Sequence, residues 1–121
     1  NFIFNYTNEM ASIYKQINLA ISRAGSSALA ELLNSRIPII AIPLEKSAYD
    51  HQYKNAQFYE KKGFGIMIKE DKIDSDLLNL IKKLYNNKSN LNLIKSNQGK
   101  YSDKEVFEKI NLELKEFLYE N

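Results

Sequence analysis

The segment from Arg23 to Glu31 has the residue types and spacing best suited to binding an anionic ligand. A short apolar run ends at Ser22, and a Gly-Ser turn (RAGSS, 23–27) then leads into a helix-forming stretch. A glycine lets the backbone approach a ligand closely, and the free amides at a helix start suit a phosphate group. The two serines of the turn offer hydroxyl groups to a ligand, although the same pattern fits ordinary helix capping.

Polar side chains at two further places are suited to sugar hydroxyls. Glu31 lies in the helix after the turn, where a carboxylate can bind a pair of hydroxyls or simply favour the helix dipole. His51, Gln52 and Asn55 lie at the start of a later helix, and amide groups both donate to and accept from hydroxyls. All three residues also suit an ordinary helix surface, and nothing in the sequence marks His51 as a general base.

The composition excludes several classes of function. The chain has 121 residues, of which 44% are hydrophobic and 26% charged, as expected for one globular domain. It has no cysteine and one histidine, which excludes a disulfide framework, a thiolate metal site and a multi-histidine metal centre. The net charge of +2 gives no electrostatic argument for a nucleic-acid partner. No apolar run approaches the roughly 20 residues that span a bilayer.

Short apolar runs alternate with amphipathic stretches in the first part of the chain. We predict four strands, at 2–6, 19–22, 37–43 and 64–68, separated by helices that begin near residues 8, 28 and 50. Asp50 is expected to cap the third helix and Gly63 to end it. This alternation predicts an open α/β sheet of parallel strands with helices on both faces. From Asp71 onward the pattern predicts helices, with residues 86–99 forming a short helix plus a loop.

The candidate binding residues fall at one edge of this predicted sheet. Ligands of open parallel sheets bind beyond the carboxyl ends of the strands, where the segments 6–10, 23–28, 43–50 and 69–72 would lie. A complete doubly wound sheet usually has about five or six strands, so four strands are too few. Because the chain also begins with Asn1 rather than methionine, we expect further strands before it.

Three motifs, in this order and spacing, resemble the C-terminal domain of the MurG family. These are the UDP-N-acetylglucosamine:N-acetylmuramyl-(pentapeptide) pyrophosphoryl-undecaprenol N-acetylglucosaminyltransferases of bacterial peptidoglycan synthesis. The family's R-[AS]-G-x-x-x-x-x-E segment matches residues 23–31, its proline-rich strand matches 37–43, and its H-Q-x-x-N-A segment matches 51–56. The resemblance is close over residues 4–70. In the helical part that follows, only the arrangement of the elements is similar.

The fold that this resemblance implies is the C-terminal half of a two-domain GT-B glycosyltransferase. It has a Rossmann-like open parallel sheet with flanking helices, followed by C-terminal helices. The whole chain would be a single, partial domain that binds a UDP-sugar donor. Its α/β core would comprise residues 1–70 and its helical part residues 71–121.

The resemblance also implies which residues bind the donor, UDP-GlcNAc. The backbone near Thr7 would bind the uracil edge, with Met10 packed beside it, and Glu31 would bind the ribose hydroxyls. The diphosphate would bind at the helix start formed by Gly25, Ser26, Ser27 and Ala28.

The remaining implied contacts concern the sugar and the phosphate loop. His51 and Gln52 would contact the sugar, with Asn55 on the same helix, and Arg23 would help to order the phosphate loop. No metal and no cofactor are implied, because fixed helix dipoles and hydrogen bonds stabilise the leaving diphosphate in such enzymes.

The family's acceptor-binding domain and catalytic base have no counterpart in this sequence. We therefore expect no catalytic residue in the chain and no transfer by the chain alone. The parent enzyme would move GlcNAc from UDP to the C4 hydroxyl of lipid-linked muramyl pentapeptide, with inversion of configuration at the anomeric carbon. This reaction converts lipid I to lipid II. It would be cytoplasmic, in peripheral contact with the inner face of the cell membrane.

Other interpretations of the residues remain open. A UDP-sugar epimerase shares the two-domain architecture and also holds UDP at its C-terminal domain. A non-catalytic donor-binding subunit of a split glycosyltransferase would act only beside a membrane-anchored partner. An unrelated flavodoxin-like regulatory domain would not bind UDP, and replacing Glu31 would then change the binding of no ligand.

Overall fold

The computed structural model describes residues 18–46, 51–101 and 104–119. Within these ranges three strands form one parallel sheet, in the order β1 (Ala20–Ser22), β2 (Ile39–Ala41) and β3 (Gly65–Met67). The predicted strands at 19–22, 37–43 and 64–68 are confirmed as shorter elements. The strand predicted at 2–6 and the helix after it, which would carry Thr7 and Met10, lie outside the described residues.

Helices lie between the strands and after them. They are α1 (Ser26–Asn34), between β1 and β2, and α2 (His51–Lys61), between β2 and β3, followed by α3 (Leu78–Asn86), α4 (Ser89–Gly99) and α5 (Lys104–Tyr119). A short 3-10 helix (Glu70–Lys72) and a π-helical turn (Ile73–Leu77) connect β3 to α3. Among the described residues, none of the helices combines the length and the apolar composition of a membrane-spanning segment.

The helices pack on both faces of the sheet because side chains alternate along each strand. Ile39 of β2 belongs to one apolar cluster, together with Leu29 of α1 and Phe58 of α2. Its neighbour Ile40 belongs to a second cluster, which includes Leu84 of α3. Burial on both faces explains why the strands are continuous apolar runs, and the predicted class of fold, an open parallel α/β sheet with flanking helices, is confirmed.

The structure corrects the expectation of a short helix plus a loop at residues 86–99. α4 is an uninterrupted helix of 11 residues that buries Leu91, Ile94 and Gln98. Their spacing of three and four residues is helical, but the glutamine hides the apolar pattern. Gln98 Nε2 donates to the carbonyl oxygens of Ile37, at 2.6 Å, and Phe64, at 3.0 Å, so this polar side chain belongs to the core.

The end of α2 agrees with the sequence. The helix ends at Lys61, and Gly63 has a φ of 78°. This is the left-handed region that glycine adopts without steric cost at the end of a helix. The predicted stop is therefore confirmed, whereas Asp50, the expected cap at the other end, lies outside the described residues.

Candidate functional site

α1 begins at the Gly-Ser turn that the sequence singled out. Gly25 is the N-cap residue, with extended backbone angles of φ −67° and ψ 143°. Ser26 and Ser27 are the first two helical residues, and both are exposed. The alternative that these serines cap the helix is therefore wrong, because the capping position lies one residue earlier and is occupied by a glycine.

The start of α1 presents backbone amides that have no acceptor inside the helix. The first N–H groups of any α-helix lack a carbonyl partner, and the helical ladder here starts with Leu29 N donating to Gly25 O at 3.1 Å. The amides of Ser26, Ser27 and Ala28 precede that bond. A Cβ added to Gly25 would meet no described atom within 4 Å, so a ligand can approach the turn closely. This arrangement suits an anionic group.

Glu31 lies one helical turn beyond the start of α1. It is half-buried, and residues four apart lie on the same side of a helix, so Glu31 shares a side with the exposed Ser27. The buried side of α1 is formed instead by Leu29, Leu32 and Leu33. Helix geometry thus puts Glu31 on the side of α1 that carries Ser27, and its contact with ribose stays a prediction.

Asn55 lies beneath the turn rather than on the exposed surface of α2. Its side chain is 3% exposed, and its Nδ2 donates to the carbonyl oxygen of Ala24 at 2.8 Å. Among the described groups its Oδ1 has no hydrogen-bond partner. This placement differs from the expected contact with a sugar, because the buried amide holds the backbone that leads into Gly25.

His51 and Gln52 are the first two residues of α2, and both are half-buried. Gln52 Oε1 accepts a hydrogen bond from the backbone N–H of Leu44 at 2.8 Å, which fixes the loop after β2 against α2. Both side chains belong to a helix that also carries Asn55 and, through it, contacts the turn before α1. Their role as sugar contacts stays a prediction.

Arg23 connects the ends of neighbouring strands. Its Nη1 lies 3.1 Å from Glu70 Oε1, after β3, and 3.5 Å from the carbonyl oxygen of Ile42, after β2. The same carboxylate oxygen of Glu70 accepts from the backbone N–H of Glu45 at 3.0 Å. Sequence reasoning missed Glu70, and only its position directly after a strand could have pointed to it. The role of Arg23 in ordering a phosphate loop stays a prediction.

A cavity of about 220 Å³ lies beyond the ends of β2 and β3. It is lined by Pro43, Glu45, Tyr53, Lys69 and Glu70. The Lys69 ammonium lies 5.2 Å from the centre of the Tyr53 ring, a cation–π contact at the wall of the cavity. The sequence placed the segments 43–50 and 69–72 at this edge of the sheet but predicted none of these five residues as a binding residue.

A parallel sheet with helices on both faces, in which a strand leads through a glycine turn into a helix at the carboxyl edge, is a Rossmann-like domain. Residues 2–110 match the family model described as the glycosyltransferase family 28 C-terminal domain, and the chain belongs to this family. The motifs on which the resemblance to MurG was based lie within the matched range.

Two curated relatives match nearly the whole chain. The proteins from Pelagibacter ubique (strain HTCC1062) and Borrelia turicatae (strain 91E135) are both named UDP-N-acetylglucosamine--N-acetylmuramyl-(pentapeptide) pyrophosphoryl-undecaprenol N-acetylglucosamine transferase. The first is 33% identical over 120 residues, which cover 98% of this chain and 34% of the relative. The second is 36% identical over 116 residues, which cover 94% of this chain and 32% of the relative. The chain therefore spans about a third of the length of these relatives.

The crystal structure of Acinetobacter baumannii MurG has the same fold as this chain. The two superpose with a TM-score of 0.72 at 19% sequence identity, over 93% of this chain and 33% of that one. The implied Rossmann-like half of a GT-B glycosyltransferase is thereby confirmed as a fold.

Proposed function

We propose that this chain is the UDP-GlcNAc-binding part of a hexosyltransferase of bacterial peptidoglycan synthesis. Its membership of glycosyltransferase family 28 and the names of its relatives support this function. The observation that carries the proposal is the start of α1, where no described atom lies within 4 Å of a Cβ added to Gly25 and the first amides have no acceptor inside the helix. Glu31 lies one turn further on the same side of the helix.

The proposed chemistry is the transfer of GlcNAc with departure of UDP. The C4 hydroxyl of lipid-linked muramyl pentapeptide attacks the anomeric carbon, the bond from that carbon to the diphosphate breaks, and the electron pair leaves with UDP. The amides of Ser26, Ser27 and Ala28 and the helix dipole stabilise the negative charge that develops on the diphosphate. Glu31 binds the ribose hydroxyls, since a carboxylate accepts from both members of a diol.

The other proposed contacts orient the two ends of the donor. His51 and Gln52 contact the sugar from the start of α2, and the segment with Thr7 and Met10 binds the uracil. We propose that the binding site for the acceptor, and the group that removes the proton of its hydroxyl, belong to the part of the parent enzyme outside the third that this chain matches. We propose that the parent works in the cytoplasm, against the inner face of the membrane that holds its lipid-linked acceptor.

The experiment that tests this proposal is a calorimetric titration of the chain with UDP and UDP-GlcNAc. We expect both nucleotides to bind. Glu31→Ala should weaken the binding of each by about tenfold or more, because a pair of charge-assisted hydrogen bonds is lost. Gly25→Ala is expected to weaken binding similarly without unfolding the chain, since its methyl group enters open space where the diphosphate approaches.

The matched control is Glu108→Ala, which removes an exposed helical glutamate far along the sequence. Its affinity for UDP should equal that of the unmodified chain. Failure of the unmodified chain to bind UDP, or equal binding by Glu31→Ala, would contradict the proposal. Addition of a lipid-linked acceptor to these 121 residues should release no UDP, because they match only about a third of the length of the transferases to which they are similar.

A further inference from the structure

The backbone ladder of the sheet stops at the carboxyl edge. Its last hydrogen bonds run from Ile42 N to Ser22 O, at 2.8 Å, and from Ile68 N to Ala41 O, at 3.0 Å. Beyond these bonds the chain leaves the sheet in three loops, and the first loop leads directly to Gly25. Side chains must therefore set how this turn lies relative to the neighbouring loops.

One carboxylate oxygen connects all three loops. Glu70 Oε1, in the 3-10 helix that ends the loop after β3, contacts Arg23 Nη1 of the first loop at 3.1 Å and Glu45 N of the second at 3.0 Å. The Glu70 side chain is 32% exposed and that of Arg23 50% exposed. Water screens such a pair, so its contribution to overall stability is small, and its main effect is to fix geometry.

The backbone before Gly25 is thus held from two sides. Arg23 is tied across the strand ends to Glu70, and the carbonyl group of Ala24 is bound by the buried Asn55 from beneath. Two consecutive residues are fixed immediately before the N-cap of α1. The direction of the helical amides depends on this approach, because the N-cap backbone angles set where the first turn points.

We propose that Glu70 is a positioning residue for the anion-binding turn. It holds Arg23 and, through Arg23, fixes the direction of the amides that follow Gly25. This inference rests on the proposed function, because it assigns Glu70 to the same donor site. Glu70 itself is not placed in contact with the donor, so its effect on affinity passes through the turn.

Removing Glu70 also removes a negative charge, which by itself favours an anion. Loss of the charge should strengthen UDP binding, whereas loss of the contact with Arg23 should weaken it. A high salt concentration distinguishes these two effects. At about 0.5 M salt the Debye length is below about 5 Å, so the long-range charge effect is screened while the loss of geometry remains. The binding measurements are therefore made at this salt concentration.

The test compares UDP affinity of the chain with that of Glu70→Ala, Glu70→Gln and Asp71→Ala. We expect Glu70→Ala to weaken the binding of UDP by about three- to tenfold, which is the range that the loss of a typical hydrogen bond produces. Glu70→Gln keeps an acceptor oxygen for Arg23 and Glu45 and should recover most of the affinity. Asp71→Ala is the control, because Asp71 is an exposed acid in the same 3-10 helix. This variant should bind UDP with the affinity of the unmodified chain.

A second measurement reports on the turn without any ligand. In amide NMR spectra, Glu70→Ala should shift the Ala24 and Gly25 resonances, whereas Asp71→Ala should leave them in place. Unchanged UDP affinity or unchanged Ala24 and Gly25 resonances in Glu70→Ala would overturn the inference. Failure of the proposed function is a different result, namely no UDP binding by the unmodified chain.

Discussion

Each edge of the sheet depends on a buried amide side chain, but the two amides hold different kinds of structure. At the amino edge, Gln98 is fully buried and donates to the carbonyl groups of Ile37 and Phe64, directly before β2 and β3. At the carboxyl edge, Asn55 is 3% exposed and donates to the carbonyl group of Ala24, in the candidate binding turn. The same interaction, a hydrogen bond from a buried amide to a backbone carbonyl group, stabilises the core at the amino edge and supports the candidate binding turn at the carboxyl edge.

The surroundings of the two amides explain this difference. The amino edge is filled by aromatic rings, with Tyr59 5.6 Å from Phe64 and Phe64 5.3 Å from Tyr101 between ring centres. The carboxyl edge has exposed helical serines, a cavity of about 220 Å³ and a partly exposed ion pair. Changes at the amino edge should therefore affect folding alone, and changes at the carboxyl edge should affect binding as well.

The largest expected effect is on stability, from Gln98→Met. Methionine keeps about the same volume but leaves two buried carbonyl groups without their donor, each of which costs about 1–3 kcal/mol. We expect the free energy of unfolding to fall by about 2–6 kcal/mol, the combined cost of the two groups, measured by urea denaturation. Under conditions where the variant is folded, its affinity for UDP should equal that of the unmodified chain.

The neighbouring residue provides the control for this substitution. Asn97 is half-buried and its Nδ2 donates to the carbonyl oxygen of Gly63 at 3.2 Å. Asn97→Ala should reduce stability by less than about 1 kcal/mol, because that carbonyl group is partly accessible to water. A fall in UDP affinity of folded Gln98→Met would show that the two edges are not separate in function.

The second effect should appear at the carboxyl edge, in Asn55→Leu. Leucine has nearly the shape of asparagine but cannot donate to the carbonyl group of Ala24, so stability should fall by about 1–2 kcal/mol. Unlike Gln98→Met, this variant should also bind UDP about three- to tenfold more weakly, because the turn before Gly25 loses its support. Unchanged affinity in a folded Asn55→Leu chain, measured by calorimetry, would remove the distinction between the two amides.

The elements common to both edges are predictable from the sequence because local patterns determine them. Continuous apolar runs indicate β1, β2 and β3, and Gly63 indicates the end of α2 because its left-handed backbone favours glycine. The Gly-Ser turn indicates the start of α1, although the cap falls on Gly25 rather than on the serines. Each of these signals lies within a few neighbouring residues.

The contacts that distinguish the edges could not be predicted, because they join residues far apart in the sequence. Gln98 completes the buried face of α4, yet a glutamine in a polar stretch indicates solvent. Asn55 suits a sugar by its residue type and is found beneath the turn, a placement that only the packing of α2 decides. Glu70 becomes important only when the three strand ends lie side by side.

The smallest expected effect is a pH dependence at the amino edge, from Tyr59. Burial raises the pKa of this phenol above its ordinary value, because a charged phenolate is poorly solvated in the core. Above about pH 10 the unfolded chain loses this proton while the folded chain keeps it, so the unfolded state gains stability as pH rises. Stability should therefore fall by about 1 kcal/mol between about pH 10 and about pH 11 through this group alone.

Urea denaturation across this pH range isolates the contribution of Tyr59. In Tyr59→Phe the fall in stability over this pH range should be smaller than in the unmodified chain by that amount. Equal pH dependence in the unmodified chain and in Tyr59→Phe would mean that alkali reaches the phenol without unfolding the chain. The aromatic packing at the amino edge would then be open to solvent, and the contrast with the binding edge would be lost.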